Sequence, residues 1–239
     1  MNDYRTNSGV TSAGGVAIDE GLRSYMLGVY NYMGLGIALT GVISFFVATN
    51  QDLVLLIGGT PLRWVLFAGI LGMGWFSPRI INGSSVFGHA MFWVYAALWG
   101  LLIAPMLYSF QMQDAAVEIY KAFFITATVF GATSLYGYTT KKDLSGWGSF
   151  LMMATVGLLI AIVLNVLIFK SGMMSLVVSS LVVLVFSAVT AYETQMVKSI
   201  YREGSATNKG AAIFGAFMLY GSFVTLFIHI LNILGIMRD

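Results

Sequence analysis

Apolar residues fill seven long stretches of the chain, near 26–48, 62–81, 86–107, 117–138, 149–169, 175–197 and 211–235, and polar residues collect between them. Each stretch approaches the length of about 20 apolar residues that crosses a hydrocarbon core about 30 Å thick. The pattern predicts an all-α integral membrane protein with seven transmembrane helices. The second stretch is the weakest, because Pro78 and Arg79 stand at its end; six spans plus one re-entrant or buried segment is the alternative. Residues 1–24 are polar and rich in Gly, Ser and Thr. They lack the apolar centre of a cleavable signal peptide and predict a flexible tail ahead of one transmembrane domain over residues 25–239.

Within the spans, the polar exceptions carry the information. At about 100° per helical residue, Ser175, Ser179, Thr190 and Glu193 fall within roughly 60° of arc on the sixth span. Ser222, Thr225, His229 and Asn232 fall within roughly 80° on the seventh. A polar stripe facing lipid is unfavourable, so each should face the bundle interior or a water-filled cavity. A short loop joins the two spans, which makes them antiparallel neighbours whose stripes can meet. Each residue also has a plainer reading. Ser and Thr hydroxyls in membrane helices bond back to their own backbone, and His229 alone reads as a hydrogen-bonded packing residue. Asn165 reads as a link between helices. The glycines at 34, 41, 69, 72, 131 and 157 read as points of close helix approach.

Glu193 has no inexpensive reading. It lies about a turn and a half before Lys198 inside an apolar run, and a charge at the membrane centre costs about 2.5–3.5 kcal/mol. Nearer an end the cost falls, yet a short glutamate snorkels poorly. Arg79 is the leading candidate partner, ahead of Lys142 and Lys198. Pairing with a cation and burial without one predict opposite pH behaviour, and the sequence leaves both open.

Composition and charge then narrow the picture. The chain is 58% hydrophobic and 9% charged, far below the roughly one quarter charged of soluble domains. The net charge of +2 and the scattered basic residues exclude nucleic-acid binding. With the N-terminus cytoplasmic, Arg5, Arg23, Arg79, Lys141, Lys142, Lys198, Arg202 and Lys209 fall inside, and Arg63, Lys121, Lys170 and Arg238 outside, which is the bias of the positive-inside rule. The absence of cysteine removes thiolate chemistry, and neither zinc-type histidine spacing nor a nucleophile elbow is present. Ser222 and His229, seven apart, lie about 10 Å apart along a helix, too far for a nucleophile–base pair. No catalysis, cofactor or metal centre is expected.

Several stretches together resemble the Bax inhibitor-1 (TMBIM) family: YNYMGLGIALTGV, TTKKDLS, AYETQ and FMLYGSFVTLFIHILNILG, in that order and at that spacing. The resemblance covers the chain from about Tyr25 onward. It implies a bundle of seven helices with the last one central, in a bacterial inner membrane. It also implies a pH-modulated calcium leak, in which calcium-leak members use one acid on each of spans six and seven and an arginine on span two. Those positions match Glu193, Ser222 and Arg79 here. A serine at the second position departs from the pattern and removes one of two carboxylates, so a dicarboxylate pH sensor is not expected. A bacterial, YccA-like branch carries this Glu and Ser combination. Its members are implicated in binding the membrane protease FtsH, for which the N-terminal tail would be a handle. A cation leak or ion sensor and a non-transporting FtsH regulator are therefore the two expectations, with Glu193, Ser222 and Arg79 as the ion- or pH-sensing candidates and Ser179, Thr190, Thr225 and His229 as their polar support.

Overall fold

The computed structural model describes residues 11–238, and within them the chain is helical apart from its turns. Helix α1 spans Thr11–Ala48, α2 Gln51–Gly59, α3 Leu62–Phe76, α4 Ser85–Met112, α5 Ala116–Thr139, α6 Gly148–Leu164, α7 Gly172–Ile200 and α8 Asn208–Arg238. Side-chain caps fix several starts. Asn50 accepts from the Leu53 N–H at 3.2 Å, Ser84 from Phe87 at 3.2 Å and Ser171 from Met174 at 3.3 Å, each satisfying one of the orphan donors of a first turn.

Among the described residues six segments are long and apolar enough to cross a membrane: Glu20–Ala48, Val86–Met112, Ala116–Thr139, Ser145–Phe169, Gly172–Ile200 and Asn208–Arg238. The stretch expected at 62–81 behaves differently. Gln51–Gly59 and Leu62–Ile80 form a pair bent by 71°, so the count is six spans, or seven if the bent pair crosses. The bend sits at Pro61, whose ring drives the residue before it out of the helical region; Thr60 is accordingly extended, at φ −115° and ψ 169°.

Two other expectations change. Part of the segment 1–24 is regular, because α1 reaches back to Thr11; Ala, Leu and Glu in this stretch favour helix once a packed helix continues beyond them. Residues 1–10 of the expected tail lie outside the described residues. The glycines chosen as packing points are also not where the helices meet. Gly34, Gly41, Gly72, Gly131 and Gly157 face open space, and Gly69 has only ordinary contact with Leu98. Close approach occurs instead at Gly137, against the Ala191 backbone, and at Gly215, where a Cβ would lie 2.6 Å from Val197 Cγ1.

Helix α8 packs against α1, α4, α5, α7 and the short 3-10 turn Ser77–Ile80. In its most apolar window 67% of residues are buried, against 11–44% in the other five long segments. Phe217, Leu219, Tyr220, Phe223 and Leu226 of α8 form the heart of the core. Tyr95 of α4 stacks on Phe217 with centroids 4.0 Å apart. The Tyr220 hydroxyl bonds to Thr40, whose own hydroxyl reaches the carbonyls of Gly36 and Ala96, so α1, α4 and α8 share one buried polar link. The large exposed apolar side chains, such as Phe46, Phe124, Met152 and Leu184, lie on the outer faces of α1, α5, α6 and α7. Such a surface is what a bilayer covers.

Candidate functional site

The polar stripes of α7 and α8 meet along their length. The Ser222 hydroxyl donates to Glu193 Oε2 at 2.6 Å. Farther along, Ser179 Oγ lies 3.0 Å from His229 Nδ1, and Asn232 Nδ2 donates to both Ser175 and Ser179 at 2.8 Å. The helical period put these residues on one arc of each helix, and antiparallel packing aligns the arcs. Thr190 and Thr225 lie on the same arcs but bond back to the carbonyls of Phe186 and Gly221, each at 2.8 Å. They relieve their own polarity and do not cross the seam.

Arg79 does not join this group. It ends the 3-10 turn after α3, is exposed, and sets its guanidinium 4.5 Å from the Phe76 ring centroid. The buried residues of that turn are Ser77 and Ile80, and Arg79 between them faces outward. Lys198 is also engaged elsewhere, donating to the Tyr138 carbonyl at 2.9 Å with its ammonium over the Tyr138 ring. The Lys142 side chain is exposed on its loop. Among the described residues the sole ion pair is Lys121–Glu118, far along the chain from Glu193. A hydroxyl, and not a cation, therefore holds the Glu193 carboxylate. A 2.6 Å O–H···O contact lies in the short range of charge-assisted bonds, about 2.5–2.7 Å.

Glu193 and Ser222 border a cavity of about 540 Å³ lined by α3, α4, α6, α7 and α8. Its walls are largely apolar, with Glu193, Ser222, Thr225 and His229 as a polar strip along the α7–α8 side. No lysine or arginine lines it. Trp99 borders it too, and its indole N–H has no hydrogen-bond partner among the described residues. Among those residues no cluster of three or more His, Asp or Glu side chains gathers to hold a metal ion. Glu193 with its hydroxyl neighbours offers one formal negative charge, against the six to eight oxygens that Ca²⁺ collects, roughly speaking, in a protein site.

Beside this seam lies a network that helical periodicity did not reveal. The Tyr30 hydroxyl meets Ser134 at 2.7 Å, and Ser134 meets Thr194 at 2.9 Å, which joins α1, α5 and α7. The next residue ties two sequence motifs together: Gln195 Oε1 accepts from the Leu144 N–H at 2.7 Å and its Nε2 donates to the Lys142 carbonyl at 2.8 Å. AYETQ thus clasps TTKKDLS. In that loop Asp143 accepts from the Ser145 N–H at 2.8 Å, which holds its carboxyl below the ordinary carboxylate range. Asn165 also works differently from expectation. It forms a two-bond ring with Ser171, accepting from its N–H at 3.1 Å and donating to its carbonyl at 3.2 Å, and so fastens the α6–α7 turn. The sequence signal for both was a polar side chain near a helix end, where turn backbone needs partners.

The chain is similar over its whole length to known proteins. A Rickettsia prowazekii protein is 36% identical over 242 residues, covering all of both chains. The Escherichia coli inner membrane protein YbhL is 33% identical over 221 residues, covering 90% of this chain and 92% of YbhL. A Streptococcus pyogenes membrane protein is 31% identical over 224 residues, covering 91% of this chain and 94% of the relative. The family model described as inhibitor of apoptosis-promoting Bax1 matches residues 22–239. With nearly every residue of the helical bundle inside that match, the chain belongs to the Bax inhibitor-1 family.

Proposed function

We propose that this protein is an inner-membrane cation-leak or ion-sensing protein with a cytoplasmic N-terminus, seven spans and α8 at the centre, and that its responsive element is the Glu193–Ser222 pair. The observation that carries the reading is a lone carboxylate held across the α7–α8 seam by a hydroxyl at 2.6 Å, on the wall of a cavity that no lysine or arginine among the described residues lines. A carboxylate has two kinds of competitor for that hydroxyl: a proton and a metal cation. When either takes the carboxylate, Ser222 loses its charged acceptor and the tie between α7 and α8 weakens. Because the same residues wall the cavity, the change alters its width. A single carboxylate supports weak, poorly selective passage and not a tight calcium site.

The test is flux from vesicles reconstituted with the full chain and loaded with a calcium-sensitive or potassium-sensitive dye. The expected result is a small leak whose pH dependence disappears in Glu193→Gln. Equal leak from both proteins across the pH range removes Glu193 from the reading. If leak matches empty vesicles while the chain co-purifies with FtsH and loses it on removal of residues 1–24, the regulator reading replaces this one.

A further inference from the structure

The cavity has the form of a ligand site as well as that of a passage. Its volume of about 540 Å³ lies within the roughly 300–1,000 Å³ of small-molecule sites, which are mostly apolar with few polar groups. One side of it is not closed by protein. Phe67 and Leu71 of α3 and Leu158 and Ile162 of α6 line it from opposite directions, yet α3 and α6 do not form a packed pair. Leu71 is 46% exposed, and Phe67, Leu158 and Ile162 are only half-buried, so this gap looks out on the apolar belt of the molecule. A molecule dissolved in the bilayer could pass through it without meeting water.

The chemistry inside selects among such molecules. Ser222 occupies Glu193 Oε2, and the other carboxylate oxygen makes no hydrogen bond among the described residues. No lysine or arginine competes for it from the cavity wall. Tyr95, Trp99, Phe186 and Phe217 supply aromatic surface in the same cavity, and aromatic faces attract cations. An anion would meet the carboxylate unfavourably, and a neutral chain would leave its free oxygen unmatched.

We propose that this cavity is a binding site for a lipophilic amine that reaches it from the bilayer between α3 and α6, with the ammonium on Glu193 and the alkyl body among Leu102, Ile103, Leu158 and Phe186. The amine and the carboxyl share one proton between them, so the pair forms as ammonium and carboxylate whichever brings it. The site shares Glu193 with the reading above but does not require ion passage.

Tritiated octylamine is the probe, measured by scintillation proximity on the full chain in lipid nanodiscs, with octanol and octanoate as competitors of equal length. The expected result is saturable binding above empty nanodiscs, displaced by unlabelled octylamine and not by the other two. Glu193→Gln should weaken it about tenfold or more, the scale expected when one partner of a desolvated charge pair is removed. Leu158→Trp, which leaves the carboxylate in place and fills the cavity from α6, should abolish it; this variant decides the matter if Glu193→Gln fails to fold. Binding no greater than to empty nanodiscs, displacement by octanol or octanoate, or full binding in Leu158→Trp overturns the proposal. Loss of ion flux with amine binding intact refutes the leak alone, and flux without amine binding refutes the site alone.

Discussion

Gly137 of α5 lies flush against the α7 backbone, so that a Cβ placed on it would fall well inside van der Waals contact with the Ala191 carbonyl oxygen. Backbone, unlike the far end of a flexible side chain, cannot swing aside. Gly137→Ala therefore forces α5 and α7 apart, and overpacking of this kind costs about 1–3 kcal/mol. The same change at Gly131, one and two-thirds turns earlier on α5, meets nothing within 4 Å and gains helix propensity. Thermal unfolding in one detergent should show Gly137→Ala clearly destabilised and Gly131→Ala unchanged or slightly more stable. Similar midpoints for the two would contradict the packing.

Glu193 and Ser222 should be energetically coupled. Ser222→Ala strands a carboxylate beside the cavity, and Glu193→Gln keeps the size of the side chain while removing its charge. Hydrogen bonds inside membrane proteins average about 0.6 kcal/mol with a maximum near 1.7 kcal/mol in mutant cycles, and a charged acceptor belongs toward the upper end. A double-mutant cycle on unfolding free energy should return about 1–2 kcal/mol of coupling. Coupling indistinguishable from zero would mean that the 2.6 Å contact does not bind the seam.

The seam was legible from the sequence because three constraints agree there. Helical period groups Ser175, Ser179 and Glu193 on one arc, the lipid penalty turns that arc inward, and a loop of seven residues between Ile200 and Asn208 forces an antiparallel neighbour. Asn208 steadies that loop by donating to the Arg202 carbonyl at 2.7 Å. Arg79 was not legible. Its distance along the chain is right, but a 3-10 turn with a proline decides where its side chain goes. The glycines failed for a related reason: every helical glycine looks alike in sequence, and only the face decides whether it meets a helix, as Gly137 does, or lipid, as Gly131 does. Thr190 and Thr225 share the arcs of Glu193 and Ser222, yet a threonine can satisfy itself on its own helix and a glutamate cannot.

Arg79 supplies a control that follows from its position. Its guanidinium rests on Phe76 and is exposed, so Arg79→Gln removes a surface charge and one cation–π contact, worth about 0.5–1 kcal/mol at an exposed site. Ion flux and amine binding should be the same as in the unaltered protein, while Glu193→Gln changes both. If Arg79→Gln reproduces the pH behaviour of Glu193→Gln, the two residues pair in a conformation other than this one.

Gln195 should govern the order of the α5–α6 loop. Its amide makes two bonds to that loop, to the Leu144 N–H and the Lys142 carbonyl, and these are the ties that fasten Lys141 and Lys142 to α7. Gln195→Leu keeps the bulk but removes donor and acceptor together, leaving two backbone groups to find water. Gln195→Glu keeps an acceptor for Leu144 and sets a negative oxygen against the Lys142 carbonyl, so it should loosen the loop less than leucine does on one side and repel it on the other. Both variants leave the lipid-covered bundle untouched, since Gln195 lies beyond Glu193 toward the loops. Limited trypsin digestion of the reconstituted protein reads the effect directly, because cleavage after Lys141 or Lys142 requires the segment to open. Local opening rises about tenfold for each 1.4 kcal/mol lost, so loss of two modest bonds should speed that cut several-fold in Gln195→Leu with unfolding temperature little changed. An unaltered cleavage rate would show that the loop is held by something other than this clasp.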